Sequence, residues 1–496
     1  MKTWTEKEKN RILSADDRME LERLHDHAAN CSWRETFHIT PMTGHLNDPN
    51  GFCYRGGKWH LYYQWFPFGA ASGLKHWYHT ESEDLVHWQN KGLHIKPDLL
   101  YDNYGCYSGS SYIENGTLYF CYTGNNMDVF GTRHPYQVLA WQKPDGTIEK
   151  LGHALISQPE GYTEHVRDPK LFKHDGTYYI LLGARDLEKH GKFLMYSSFD
   201  IKDGWQKAGE LKVRGYDFFG SMVECPDLEK IGDKWVLIFS MIDSSDDAAR
   251  KYSNLYFTGD MDFENLEFIP DGEMRELDSG FDFYAAQCAY QNKYDDTAVL
   301  SGWIGCPGYT YPLTAEDDWE GVLSLPRELT IEDGKLKQRP SRTLSQVRGN
   351  KLFEAREGSI VSDTMHGLMP RTAILRLDDP QNESIQLNLF ARSQKNGFAI
   401  NYDKFRRRLT VDRGDLMEVP NKEAGTNRSV VLPDGLSSLE IFIDKSTIEV
   451  FVNDGEYVFS AMIFPQPEEN LIRMGGKDID LVVYDTVKTI EDGFAI

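Results

Sequence analysis

The chain has 496 residues, 40% of them hydrophobic and 13% aromatic, and a formal net charge of −23. That is material for a large core and about three domains, and the acidity excludes nucleic acid and an anionic membrane surface as partners, since both require a basic face. No run approaches the roughly 20 apolar residues of a membrane span, and seven cysteines, scattered singly from Cys31 to Cys306 with no CxxC spacing, fit reduced cytoplasmic thiols and supply no zinc site.

Neither a metal nor a cofactor is expected, and the sequence sets no oligomeric state. The opening Met1-Lys2-Thr3-Trp4-Thr5-Glu6-Lys7-Glu8-Lys9 lacks the apolar core of a secretory signal, so a cytoplasmic location is expected. From Thr5 to Ala29 the chain is charged and helix-compatible, with a partial apolar stripe of Leu13, Met19, Leu21 and Leu24. Residues 1–34 are read as an N-terminal helical segment packed on the outside of the main domain.

Between residues 35 and 335 a small turn followed by an aromatic or β-branched run recurs five times. The turns are anchored at Gly57, Gly116, Gly176, Asp233 and Asp296, separated by 59, 60, 57 and 63 residues. In three units the segment leading into the turn carries a carboxylate beside proline or cysteine: Asn47-Asp48-Pro49, Arg167-Asp168-Pro169 and Glu224-Cys225-Pro226. Asp48 lies nine residues before its anchor, Asp168 eight and Glu224 nine, which puts three acids at the same place in three copies of one unit. Repeats of roughly 40 to 50 residues with several short strands mark propeller blades, and longer outer loops account for the extra length here. Radial repetition sets each first strand against a central axis. The fold class expected is therefore all-β, a five-bladed β-propeller in which Asp48, Asp168 and Glu224 face one another across the axis. A large sandwich or barrel of five amphipathic hairpins is the alternative. Within the units, Leu85-Val86-His87-Trp88 reads as a further strand and Lys143-Pro144-Asp145-Gly146 as a turn.

After Arg339-Pro340 the pattern changes, and residues 336–350 are read as a linker. From 351 to 496 short segments alternate apolar and polar residues, as in Thr372 to Leu377, Ser384 to Leu389, Gly397 to Tyr402, Leu439 to Ile443 and Ile448 to Val452. Asn453-Asp454-Gly455 adds strong hairpin chemistry. This is the pattern of a C-terminal β-sandwich. It carries no constellation of acids, so a structural role is expected for it.

Two carboxylates flanking a glycosidic oxygen are what sugar hydrolysis requires, one as nucleophile or base and the other as proton donor. A third can hold ring hydroxyls. Trp65, Phe66, Phe68, Trp77, Phe218, Phe219 and Trp303 lie near the repeated segments and suit a wall for sugar faces. Each acid motif is ambiguous alone, because Asn-Asp-Pro-Asn-Gly is also a tight-turn sequence. Their common register turns them into a site.

His45-Leu46-Asn47-Asp48-Pro49-Asn50-Gly51 resembles the first signature of glycoside hydrolase family 32, the invertase and fructosidase family. Tyr107-Ser108-Gly109-Ser110, Arg167-Asp168-Pro169 and Glu224-Cys225 are similar to its next three motifs, in order, and Phe281 to Ala285, Gly302-Trp303, Ser324 to Leu329 and Asp444 to Glu456 extend the likeness. It covers about residues 35 to 490 and implies a five-bladed propeller joined to a β-sandwich. It also implies that Asp48 is the nucleophile on the fructose anomeric carbon, Glu224 the acid/base and Asp168 the transition-state stabiliser. Asn47, Gln64, Trp77, Ser108 and Arg167 match positions lining the fructose subsite, and His45, Leu46, Tyr107 and Trp303 join the candidate substrate contacts. His45-Leu46 replaces a commoner Trp-Met or Trp-Leu and Tyr107 a frequent Phe; neither change removes a catalytic atom.

The family includes hydrolases of sucrose, sucrose 6-phosphate, inulin, levan and fructo-oligosaccharides. The missing signal and the stretch from Tyr63 to Trp77, which is similar to the bacterial sucrose-6-phosphate-hydrolysing branch, favour a small fructoside. Sucrose 6-phosphate is expected, with sucrose and short fructo-oligosaccharides as the alternative. A phosphate needs local positive charge, for which Lys75, Arg133 and His134 are the candidates. An inverting pentosidase on a related propeller, a non-catalytic fructan-binding protein and a fructosyltransferase are the competing readings. The anomer of the product, binding without release of fructose, and capture of the intermediate by sugar rather than water distinguish them in turn.

Overall fold

Each of the first three repeat turns closes a hairpin on two left-handed residues: Gly56 and Gly57 (φ 61° and 84°), Asn115 and Gly116 (50° and 78°), Asp175 and Gly176 (44° and 81°). The flanking pairs are Arg55 with Lys58, Glu114 with Thr117 and His174 with Thr177. Two successive positive φ angles twist a turn to match its strands, which is why Asn-Gly and Asp-Gly recur there. Ile231 and Lys234 flank the fourth hairpin, where Gly232 alone is left-handed (φ 62°). The computed structural model describes residues 2–243, 251–292, 294, 297–355, 367–378, 384–475 and 480–496. The fifth anchor, Asp296, lies outside the described residues.

Five mainly antiparallel sheets of four to six strands are assembled around these hairpins. Their first strands are Gly44–Arg55, Cys106–Glu114, Tyr162–His174, Met222–Ile231 and Tyr284–Cys288. Each packs against the next, and the fifth packs back on the first, so the five form a closed cycle. The first sheet is completed by distant chain: Trp319 and Glu320 pair in parallel with Gly44 and His45, and Ile490 and Glu491 with Trp88 and Gln89. Apolar residues fill the spaces between neighbouring sheets, as where Phe193, Phe219, Phe239 and Phe257 meet between the third and fourth.

All five first strands carry a register break at the corresponding place: between Leu46 and Pro49, Cys106 and Gly109, Arg167 and Lys170, Glu224 and Asp227, and Tyr284 and Gln287. A bulge inserts unpaired residues, bends the strand and re-aims its side chains. The ladders refine the expectation of one shared place for the acids. Glu224 is the last paired residue before its bulge, Asp168 the first residue within, and Asp48 the second. They occupy three adjacent places, not one.

Two six-stranded sheets in the C-terminal part face each other across Leu375, Leu387, Ile400, Ile441, Val450, Phe459 and their neighbours. The sequence-expected strands are present, and Asn453, Asp454 and Gly455 are left-handed at the hairpin they were expected to form. Within the stretch read as linker, Lys335–Pro340 is an outer strand paired with Arg327–Glu332, and Arg342–Val347 is a 3-10 turn. Phe37, Val86, Leu325, Phe442 and Phe451 join the two parts. A buried ionic cluster runs beside them. Arg327 Nη2 donates to Asp278 Oδ2 and Glu449 Oε2, both at 2.8 Å. His38 lies between Asp444 Oδ2 (3.1 Å) and Glu449 Oε1 (3.2 Å). Burial would strip its proton, but the two carboxylates outweigh that and raise its pKa to about 10.

Two local expectations need correction. The N-terminal segment is broken into Glu6–Lys9, Ala15–Asp17 and Arg18–Ala29, because Thr5 and Ser14 each start a new turn by capping. Leu21 and Leu24 are buried on the first sheet, but Met19 is 81% exposed. Leu85 to His87 is a bend, not a strand: Asp84 Oδ1 accepts from the N–H groups of Val86 and His87, and Leu85 is left-handed at φ 70°. The strand begins at Trp88. All seven cysteines are free, and no described helix is long and apolar enough to cross a membrane.

Arg327→Met should leave Asp278 and Glu449 with uncompensated buried charge at the junction of the two parts. Breaking such a pair costs about 3–5 kcal/mol, which a lowered denaturant midpoint relative to the unsubstituted protein would reveal.

Candidate active site

The bulges open onto a cavity of about 1010 Å³ at one end of the cycle, with Asp48, Asp168 and Glu224 in its lining. Each acid is held differently. Asp48 is served by neutral donors: its Oδ2 accepts from Ser108 Oγ (2.5 Å) and Gln64 Nε2 (3.1 Å), its Oδ1 from Asn47 Nδ2 (3.0 Å). Asn47 Nδ2 also donates to Gln64 Oε1 (3.0 Å), and Asn47 Oδ1 accepts from Lys75 Nζ (2.7 Å).

Glu224 is held by a cation and a hydroxyl. Its Oε1 accepts from Arg167 Nη2 (2.6 Å) and Nε (2.9 Å), and its Oε2 from Tyr284 Oη (2.6 Å). Asp168 is left-handed, with φ 63°. Its N–H donates to Thr123 Oγ1 (2.8 Å) and its Oδ2 accepts from the N–H of Cys225 (2.9 Å). The Cys225 thiol lies 3.7 Å from Asp168 Oδ2 and 3.9 Å from Asp48 Oδ2, filling the space between the two carboxylates.

Burial and charge separate the acids electrostatically. Burial pushes Asp168 up to about 7, aided by the charges of Glu224 and Asp48 and opposed by Arg167 and the Cys225 N–H. Burial also acts to raise Glu224, but Arg167 and the Tyr284 hydroxyl outweigh it and hold Glu224 below the usual range. Glu224 is thus the ionised partner of Arg167, while Asp168 holds a proton up to neutral pH. Burial lowers Lys75 to about 8, against the pull of Asp48 and Glu320. A carboxylate on neutral donors can attack an electron-poor carbon, and one bonded to a phenol can exchange a proton with an oxygen above it. Together these are the two halves of glycoside cleavage.

Comparison with known proteins decides the family. The model for the "Glycosyl hydrolases family 32 N-terminal domain" matches residues 38–340, and that for the "Glycosyl hydrolases family 32 C terminal" matches 341–487. The chain belongs to glycoside hydrolase family 32. A sucrose-6-phosphate hydrolase of Staphylococcus xylosus is 38% identical over 94% of this chain and 94% of its own length. That of Streptococcus mutans is 38% identical over 91% and 92%. Among solved structures, a sucrose-6-phosphate hydrolase of Lactobacillus gasseri superposes with a TM-score of 0.89 at 35% identity, covering 98% of this chain and 100% of that one. A family 32 β-fructofuranosidase of Bombyx mori, in complex with sucrose, superposes with a TM-score of 0.80 at 27% identity, covering 96% and 100%. The chain is a family 32 glycoside hydrolase with an N-terminal β-sheet unit and a C-terminal β-sandwich.

Of the residues expected from the sequence, His45, Asn47, Gln64, Tyr107, Arg167 and Trp303 line the cavity with the acids. Ser108 lies beneath Asp48, as its donor. Leu46 and Trp77 do not reach the cavity. Both are fully buried behind it, and Trp77 Nε1 donates to the Tyr107 carbonyl (3.0 Å), fixing the neighbouring bulge. Trp65, Phe66 and Phe68 are core of the first sheet, Phe219 is core of the fourth, and Phe218 stacks on His190. Of the aromatics expected for the wall, Trp303 lines the cavity, and Trp4, Tyr107, Tyr284 and Tyr309 join it there.

The cation candidates separate too. Lys75 lies on the Asp48 side, occupied by Asn47, and His134 is turned to Asp128 Oδ2 (3.0 Å) outside the cavity. Arg133 lines the cavity with its guanidinium 5.3 Å from the Tyr107 ring and Nε on Asn125 Oδ1 (2.7 Å). Its Nη2 has no hydrogen-bond partner among the described residues. Lys2, Trp4 and Lys9 were missed because they stand outside every repeat. Tyr284 stood within a quoted motif, but its bond to Glu224 has no signal in spacing.

A carboxyl that titrates near 7 when folded and at 3.8 when exposed binds its proton more tightly in the fold. The stability this contributes is complete below pH 3.8 and is lost as pH rises through 7, so an ionised Asp168 costs about 3–5 kcal/mol above that. Asp168→Asn should therefore melt at a higher temperature than the unsubstituted protein at pH 8, with the gap closing toward pH 4. Thermal unfolding across that range is the measurement; a variant that is less stable at pH 8 contradicts the assignment.

Proposed function

We propose that the chain is a retaining β-fructofuranosidase whose preferred substrate is sucrose 6-phosphate, with sucrose cleaved less efficiently. The observation that carries the chemistry is the unequal treatment of two converging acids: Asp48 on neutral donors, Glu224 on Arg167 and Tyr284. The substrate rests on the relatives, which bear the name sucrose-6-phosphate hydrolase over more than nine-tenths of this chain.

In this reading Asp48 attacks the anomeric carbon of fructose and forms a fructosyl ester as the bond to the glucosyl oxygen breaks. Glu224 delivers a proton to that oxygen, then takes one from the water that releases fructose. Asp168 accepts from fructose hydroxyls and steadies the positive charge of the transition state. That role needs Asp168 ionised and Glu224 protonated, the reverse of what the protein groups alone impose. The charge of Glu224 helps to keep Asp168 protonated, so sugar hydroxyls that favour an ionised Asp168 also favour a proton on Glu224.

The phosphate sits on glucose, so its partner belongs on the leaving-group side. Arg133, with Nη2 unmatched, suits this better than Lys75, committed to Asn47, or His134, committed to Asp128. We also read the N-terminal unit as a five-bladed propeller, supported by five sheets whose first strands close a cycle. Residues 1–34 form its N-terminal segment, 35–335 the blades, 336–350 the connection and 351–496 the sandwich. The paired strand Lys335–Pro340 carries the last blade five residues further. Free cysteines and a phosphorylated substrate suit the cytoplasm.

Asp48→Asn should keep its fold and lose nearly all turnover; substantial residual activity would remove Asp48 from the nucleophile's role. Glu224→Gln should be partly rescued by azide and Asp168→Asn should not, and the opposite pattern exchanges their roles. Arg133→Ala should lower kcat/KM on sucrose 6-phosphate by about 10- to 150-fold, the worth of one charged hydrogen bond of about 1.5–3 kcal/mol, and leave sucrose nearly unchanged. Equal efficiency of the unsubstituted enzyme on both sugars would make it a plain fructosidase.

A further inference from the structure

One side of the cavity rim is built by the start of the chain and not by a sheet loop. Lys2, Thr3, Trp4 and Lys9 all face the cavity there, beside Ala70, Ala71 and Ser72. The segment is fixed in place. Thr5 and Glu8 form a capping box, Lys2 pairs with Glu8 (3.3 Å), and the Lys9 carbonyl accepts from the N–H of Leu74 (2.7 Å).

Trp4 meets Phe66 edge-on, with ring centres 5.5 Å apart, and Lys2 Nζ stands 3.7 Å over its ring. The loop beneath is carved to receive the segment. A Cβ on Gly69 would come within 2.6 Å of the Trp4 ring, and one on Gly73 within 2.7 Å of the Lys9 carbonyl. The three acids lie on the innermost strands at the cavity floor. Lys2 is 52% exposed, which puts this segment at the mouth.

We propose that residues 2–9 form a wall of the leaving-group subsite, with Trp4 as the surface that receives the pyranose ring. This rests on the reading of the site as a fructosidase: fructose occupies the floor beside Asp48, so the departing hexose extends to the rim. An aromatic ring offers a sugar an apolar face of matching size, and Phe66 on its edge holds the indole ready.

The test separates the two ends of the substrate by product inhibition. In Trp4→Ala, the inhibition constant of glucose 6-phosphate and the KM for sucrose 6-phosphate should both rise about 10-fold, the size of one buried aromatic contact. The inhibition constant of fructose and kcat should stay as they were, unfolding should remain cooperative although at a lower temperature because the packing on Phe66 is lost, and Trp4→Phe should recover most of the loss. Unchanged inhibition by glucose 6-phosphate, or an equal rise for fructose, would overturn the proposal. If the unsubstituted protein releases no fructose from either sucrose or its phosphate, the fructosidase reading fails by itself. Calorimetric titration of glucose 6-phosphate into both proteins then decides the wall: weaker binding to Trp4→Ala upholds it, and equal binding or none rejects it.

Discussion

Arg167 is the cation against which three carboxyl groups, Asp168 buried and Asp48 and Glu224 half-buried, are balanced. It touches Glu224 directly and lies 4.0 Å from Asp168 Oδ2. In a medium of low polarizability one guanidinium cannot neutralise three anions, and an unmatched buried charge costs several kcal/mol. The site answers by dividing the load. Glu224 takes the cation, Asp168 retains a proton, and Asp48 is satisfied by an amide pair and a hydroxyl. Lys75, one asparagine away from Asp48, adds positive potential without forming a salt bridge to it.

The same economy governs the junction of the two parts. His38, Arg327, Asp278, Asp444 and Glu449 form a cluster in which most carboxylate oxygens meet a donor, while Phe37, Leu325, Phe442 and Phe451 exclude water around it. Tyr311 reaches Asp282 (2.8 Å), which also accepts from Arg413 of the sandwich (2.5 Å). Tyr311 belongs to the same late stretch that supplies Trp319 and Glu320 to the first sheet. The sandwich thus braces the segment that completes the cycle, and Glu320 in turn holds His45 at the cavity wall (3.2 Å).

Much of this was readable in sequence, for local reasons. Asn-Gly and Asp-Gly turns report their own geometry, and the acids stood out because a shared register is improbable by accident. The bulges were not readable, since an extra residue in a strand leaves no mark on composition. That is why the three acids came out at one place instead of three: a bulge changes which side chains face inward. Leu46 and Trp77 were assigned to the cavity through the family resemblance, and motif likeness does not report which way a side chain points. Trp4 was invisible for another reason. Its neighbours Phe66 and Gly69 are more than sixty residues away, and nothing in a charged N-terminal stretch announces a cavity wall. Met19 shows the converse error: it shares the helix Arg18–Ala29 with Leu21 and Leu24, but two residues are about 200° round the axis, which turns Met19 to solvent while Leu21 is buried.

The completion of the first sheet by late chain bears on how the protein is made. The strand Gly44–Arg55 leaves the ribosome well before its parallel partner, Trp319 and Glu320, which follows some 275 residues later, the separation at which His45 meets Glu320. The outer strand at Trp88 waits longer still, for Ile490. Both flanks of the first sheet are therefore open edges while the remaining sheets are synthesised, and open edges are where strands of different molecules pair. Contacts this distant in sequence also form slowly. The first sheet to be translated is the last to be finished, and it is the part of the molecule most in need of protection before release.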